Sequence, residues 1–305
     1  MRVKPVFALI PALVLLAGCE FEDVAGFGRY HEDFHYNYPL KAGGRLTVES
    51  FNGSIEVSPW DQENVDISGT KYARTQDDVA DIKIEIDHSS GAVSIRATRP
   101  MSRHGNHGAK FAIKVPRSVV LDRLTTSNGA IRATDGTGPG RFKTSNGGIH
   151  VLGFRGELIA ETSNGTLELN NVEGSVSGRT SNGTIRGEGL RGALDVTTSN
   201  GGISVRLDRA DGSLKLGTSN GGIDLTLPAA AVPVRAYTSN STITLHLPGE
   251  VNARIAASTS NGSISSDFEM RLRGEFNKHH MEGSLGNGGP LIDLTTSNGS
   301  IRIVR

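Results

Sequence analysis

One cysteine, Cys19, stands in 305 residues, so no disulfide can form within the chain and a cluster of thiolate metal ligands is excluded. Aromatic residues are scarce at 5%, while glycine occupies 39 positions. That combination suits a narrow interior crossed by many tight turns. An excess of either charge is also missing: Lys and Arg number 32 and Asp and Glu 32, so the positive footprint that nucleic acid requires is absent. After Leu16 no apolar run is long enough to span a bilayer.

What is present begins with a leader. Arg2 and Lys4 precede an apolar run from Val6 to Leu16 broken only by Pro11, the layout of a secretory signal. It closes on Leu16-Ala17-Gly18-Cys19, which resembles the lipobox of bacterial lipoproteins. The resemblance implies acylation of Cys19 as the first residue of the mature chain, and more than one acyl chain holds a protein stably at a membrane. Glu20 stands where an inner-membrane retention signal would place Asp, which favours the outer membrane in a host with two membranes. The expected organisation is a signal peptide over 1–18, a tether and first strand region over 19–43, and one repeat domain over 44–305.

The repeat is the tripeptide Thr-Ser-Asn. It starts at 126, 144, 162, 180, 198, 218, 238, 259 and 296, at intervals of 18, 18, 18, 18, 20, 20, 21 and 37 residues. A fixed period of this length is the signature of a stacked solenoid. Within one unit, Ile149 and Val151 alternate with His150, and Leu158 and Ala160 alternate with Ile159 and Glu161, giving two short strands per period. Ile131, Ile149, Leu167, Ile185, Ile203, Ile223, Ile243, Ile264 and Ile301 form the expected inward column. Thr is expected to point inward, with its hydroxyl capping turn backbone, and Ser outward. Asn falls at a corner, where Asn and Gly tolerate positive φ. Stacked amides then form a ladder through Asn52, Asn128, Asn146, Asn164, Asn182, Asn200, Asn220, Asn240, Asn261 and Asn298. At one copy Asn240 is followed by Ser241 instead of Gly.

Asn-Gly between alternating apolar residues is also the signal for a β-hairpin. A meander explains any one copy, but not a series in which the sequence matches one period along. The expected fold is therefore an all-β, right-handed parallel β-helix, or β-solenoid, with turns of about 18–20 residues. Ser50-Phe51-Asn52-Gly53-Ser54-Ile55 shows the same grammar, and Ser89 to Ile95 repeats it weakly. From Ser50 to His88 and from His88 to Thr126 are 38 residues each, read as two periods, with further strands at Val65-Ile67, Ile82-Ile86 and Phe111-Val115. Stacked in sequence order, this makes about fourteen turns and a rod on the order of 65 Å. Ile301 to Arg305 would then leave an open edge after the last turn.

The stretches Ser50 to Lys71 and Gly286 to Ile303, with the Thr-Ser-Asn-Gly units between them, resemble the DUF4097 family of β-repeat adhesins. The resemblance implies a β-helical fold and carries no active-site motif.

The outward column Arg132, His150, Glu168, Arg186, Ser204, Asp224, Thr244, Ser265 mixes charges with no recurring pair of acids, which reads as a solvated, salt-bridged face. Histidines pair at His31 and His35, His104 and His107, and His279 and His280, all in irregular segments without the acidic partner and spacing of a zinc site. The glycine-rich run Gly136 to Gly140 lacks the lysine and helix of a phosphate loop and reads as a turn. Inward threonines argue against an ice-binding array.

The expected protein is thus a non-enzymatic, lipid-anchored cell-envelope protein, an adhesin or binding scaffold whose equivalent contacts add by avidity. Its expected partners are the membrane, through the lipid, and envelope polysaccharide or protein. No cofactor, metal or nucleic acid is expected, and a monomer is. Two alternatives are a polysaccharide-active β-helix enzyme with a site in Lys71 to Gly108 or Phe268 to Gly289, and an envelope-stress or regulatory lipoprotein.

Overall fold

A computed structural model describes residues 30–99, 106–272 and 277–305. Cys19, the leader and His104 lie outside the described residues. Among the described residues short strands dominate, with a single helix, Gln76–Asp81, capped at its start by the Thr75 hydroxyl accepting from the Asp78 amide.

Each Thr-Ser-Asn-Gly phrase joins two strands that lie on different faces. The strand before it stacks in parallel on its equivalents one period away, as in Gly140–Lys143, Leu158–Glu161 and Val176–Arg179. The strand after it does the same: Ile149 lies opposite Ile131 on one side and Leu167 on the other. A hairpin would instead pair the two strands flanking one phrase, so the meander is ruled out and the chain forms a β-solenoid. Its axis is filled by the alternating apolar residues. Ile131, Ile149, Leu167, Ile185, Ile203, Ile223, Ile243 and Ile301 are all buried, and each such side chain contributes roughly 1.5–3 kcal/mol by leaving water.

The stacking order departs from the sequence order at both ends. Arg45–Glu49 and Ile55–Trp60 lie directly under Val120–Thr125 and Ile131–Thr137. The later strands Ala92–Thr98 and Gly108–Pro116 lie outside them. At the other end Leu291–Thr296 and Ile301–Val304 are inserted between Val234–Tyr237 and Ile243–His246 on one side and Ala253–Thr259 and Ile264–Ser266 on the other. The expected open edge at the C-terminus is therefore absent: Ile301–Val304 is paired on both sides.

The intervals of 38 and 37 residues hold antiparallel end strands where the spacing predicted extra turns. Asn64–Ala73 and Lys83–Ser89, with Tyr30–Pro39 from before the first interval, close one end. Arg271–Leu272 and His280–Leu285 close the other. Counting the levels of paired strands from Ala92–Thr98 to Ala253–Thr259 gives eleven turns, not fourteen. At the usual strand spacing they span on the order of 50 Å.

The corner is also built differently from expectation. Among the glycines of the phrase only Gly53 has positive φ (105°), and none of the ladder asparagines does. Glycine is required by the turn below it: a Cβ on Gly165 would stand 1.8 Å from the Gly147 carbonyl oxygen, and one on Gly183 the same distance from that of Gly165. Left-handed backbone appears instead at the far end of the second strand, in the column Asp135 (φ 50°), Gly153 (69°), Asn171 (54°) and Gly189 (66°). These four recur every 18 residues. The Asp135 and Asn171 side chains fill the places where Cβ atoms on Gly153 and Gly189 would be.

The glycines of Gly136 to Gly140 have a packing role beyond the turn expected there. Phe154 lies edge-on to Phe142, ring centroids 5.8 Å apart. Cβ atoms on Gly136, Gly138 and Gly140 would each come within 3.1 Å of the Phe154 ring. A wide residue inside a narrow axis is accommodated by stripping side chains from its neighbours.

Candidate functional site

Two features stand out on the surface: a polar edge along the corners and a groove near the N-terminal end. On the edge, each Asn donates its Nδ2 to the Oδ1 of the Asn in the turn before it. Asn182 donates to Asn164 at 2.7 Å and Asn200 to Asn182 at 2.6 Å, and the pattern runs from Asn128 on Asn52 to Asn261 on Asn298. All these bonds point the same way. Asn52 ends the row by donating to the His107 carbonyl at 2.9 Å.

The main chain follows the same direction. The amides of Ser181 and Asn182 both donate to the Ser163 carbonyl, at 3.0 and 2.9 Å. The buried Thr180 hydroxyl donates to the Gly165 carbonyl at 3.0 Å and accepts from the Gly183 amide at 3.2 Å. With threonine committed inside, the edge shows only serine hydroxyls and the second half of each amide. Ser145, Ser163, Ser181, Ser199, Ser219 and Ser239 are exposed, and their hydroxyls have no protein partner among the described residues. At Ser241 the row of asparagines continues unbroken through Asn240.

The faces flanking the edge carry charge in neutralised pairs. Arg132 meets Glu56 at 3.3 Å, Glu168 meets His150 at 2.7 Å and Arg186 at 3.5 Å, and His246 meets Asp224 at 3.5 Å. The mixed column seen in the sequence is a salt-bridged face. Exposed pairs of this kind are worth little in stability.

The groove encloses about 360 Å³ on the outward surface of the first turns and their end strands. Four separate segments build it: Tyr30–Pro39, Asn64–Ala73, Gly108–Pro116 and the region of Ile55–Trp60. Its lining is mostly apolar carbon, with Tyr72, Phe111 and Ala112 among the residues present. Tyr72 runs along the face until its hydroxyl lies 2.5 Å from where a Cβ on Gly108 would be. Burial raises the pKa of this phenol, so it stays protonated. Phe34 and Phe111 meet under the groove at 5.4 Å between centroids, on either side of Gly69.

The histidines scatter. His31 lines the groove, and His35 bonds to Asp66. His107 is buried against Phe51. The His279 carbonyl accepts from the Thr259 amide, and His280 sits 3.4 Å from Glu282. Among the described residues no three His, Cys, Asp or Glu side chains gather as metal ligands. Nor is any helix among them long and apolar enough to cross a membrane. The groove was not visible in the sequence, because its residues come from distant segments and form no motif.

The stacked turns, their inward threonines and the asparagine row define a β-solenoid of phrase-bearing repeats. The Toastrack DUF4097 family model matches residues 39–246, and the chain belongs to that family. Three solved structures are similar at low identity. A candidate cell-adhesion protein of Clostridium sporogenes ATCC 15579 is 11% identical with a TM-score of 0.29, covering 90% of this chain and 99% of the other. A candidate adhesin of Bacteroides fragilis NCTC 9343 is 11% identical with a TM-score of 0.41, covering 90% and 96%. A candidate lipid-binding protein of Parabacteroides distasonis ATCC 8503 is 14% identical with a TM-score of 0.42, covering 92% and 98%. No curated protein matches the chain.

Proposed function

We propose that this is a non-enzymatic, lipid-anchored protein of the cell envelope that binds extended polymer or protein along its corner edge. The observation that carries the reading is the unbroken row of serine hydroxyls and half-used asparagine amides. Each turn repeats the same donors and acceptors at one strand spacing, about 4.8 Å. A partner with its own repeat makes many weak, equivalent contacts, and their sum exceeds any one of them. The leader and Cys19 supply the anchor. Charges neutralised in pairs suit a surface that binds by hydrogen bonding and shape.

Two measurements test this. Palmitate labelling should mark the wild-type protein and not Cys19→Ala, which should leave the membrane fraction; an unlabelled wild type rejects the anchor. Purified mature protein should sediment with envelope polymers, and Ser163→Lys with Ser199→Lys should weaken that association. Blank sedimentation with every envelope fraction rejects the binding reading.

A further inference from the structure

We propose that the groove beside Tyr72 is a binding site for a saccharide unit, one ring or two in size. This deepens the reading above by giving the protein one discrete ligand site in addition to its extended edge.

The trough exists because short side chains lie side by side on the outward face. In the paired register Thr70 lies opposite Lys110, and Ser68 opposite Ala112. Ser54 and Ala112 line the hollow with Thr70. Longer groups, among them His31, Lys110 and Glu56, stand around it. The volume of about 360 Å³ falls in the range of small-ligand sites. Its lining is more strongly apolar than that of the hollow of about 310 Å³ beside Val176 and Leu194.

The chemistry of the lining selects the class of ligand. An acyl chain needs an enclosed apolar channel, and this trough is open with hydroxyls and charges on its walls. A nucleotide needs several cations for its phosphates, and here Glu56 stands in the same wall as Lys110. A sugar ring presents a face of C–H groups and an edge of hydroxyls. The exposed Ala112 methyl suits the first. The second needs donors and acceptors of both kinds within one small site. Ser54 supplies a donor and an acceptor, Glu56 an acceptor, and the His31 ring a further polar nitrogen. Glu56 is already aligned by Arg132 at 3.3 Å, and the Thr70 hydroxyl by Asp33 at 2.7 Å. The rim is thus held in place before a ligand arrives.

The test uses the mature chain with Cys19→Ala and two soluble probes, diacetylchitobiose as a neutral sugar and digalacturonate as an acidic one. Amide resonances of residues 54–56, 70–72 and 110–112 should shift on titration with at least one of them. Ala112→Phe, which fills an exposed hollow, should weaken binding by about tenfold or more, and Lys110→Met provides a second variant should the first fail to fold. Glu250→Gln, at an exposed position near the far end of the stack, should leave sugar binding unchanged. Absence of shifts with both probes at millimolar concentration, shifts confined to other residues, or full affinity in both groove variants overturns the proposal. Polymer sedimentation without sugar binding removes only the groove site; sugar binding without sedimentation removes only the edge.

Discussion

Asn298 donates its side-chain amide to Asn240, 58 residues earlier in the chain, at 2.7 Å, and in turn accepts from Asn261 at the same distance. Leu291–Thr296 and Ile301–Val304 thus fill a slot between two turns that come before them in the sequence.

Removing residues 291–305 should therefore do more than shorten the rod. It takes out the buried Ile292, Leu294, Ile301 and Ile303, a loss on the order of 6–12 kcal/mol of apolar burial. It also exposes the facing edges of Ile243–His246 and Ile264–Ser266. In a stack whose turns contact only their neighbours the damage stays local. Limited proteolysis should cut the truncated protein within 253–285 while leaving 120–246 protected. Cleavage spread evenly along the chain would show that the slot is not structurally decisive.

That slot also marks how far the sequence could be read. The inward threonine, the outward serine and the asparagine row all follow from alternation and period, and they are legible in any one turn. The order of turns at the ends is not. Nine of the eleven turns carry the same phrase, so matching one copy to the next cannot tell whether 296 follows 259 or sits before it. The end strands carry no phrase at all, and pairings such as Tyr36 with Ile67 form over distances no local pattern records. The column of Asp135, Gly153, Asn171 and Gly189 was present at 18-residue spacing, but the phrase drew the positive-φ expectation to the wrong corner.

Glycine at the phrase corner is needed for space, and a single methyl tests it. Gly165→Ala places a Cβ 1.8 Å from the Gly147 carbonyl oxygen, so two turns must separate. The expected cost is about 3 kcal/mol or more, within the range of severe core substitutions. Gly249→Ala, with open space around it and no positive φ, should change stability by less than about 0.5 kcal/mol. Equal denaturation midpoints for the two variants would contradict the close-approach explanation.

The direction of the asparagine row predicts an order among substitutions. Asn182→Ala loses two side-chain bonds at an exposed site, a cost of about 1–2 kcal/mol. Asn182→Asp keeps the acceptor for Asn200 but turns an oxygen toward the Asn164 oxygen, so repulsion replaces a bond. It should be the less stable of the two at neutral pH. On acidification the carboxyl gains a proton and can donate again. Its folded pKa is raised, so stability should return as the pH falls through that value. An aspartate variant as stable as alanine at pH 7, with no recovery in acid, would mean the row is not polarised.

Asp66 gives the native protein its own acid response at the N-terminal end. The hydrogen bond from His35 holds its carboxyl below the ordinary range, with Asn37 adding to it and burial opposing. A folded pKa below the unfolded one means that the stabilisation is complete above the unfolded value, about 3.9. It is lost as the pH falls through the folded value. Asp66 lies in the antiparallel strand Asn64–Ala73, which joins Tyr30–Pro39 to the stack. That end strand should loosen first. Trp60 is the only tryptophan, and its indole donates to the Asn64 carbonyl at 2.8 Å, so its emission reports on the same end. Wild type should show a change in Trp60 emission below about pH 4 that is reduced in Asp66→Asn, while far-ultraviolet circular dichroism of the long stack stays steady over the same range. An identical acid profile in the variant would place the acid-sensitive contact elsewhere. The exposed Asp61, next to Trp60 in sequence and bonded to Arg117, is the next carboxylate to replace.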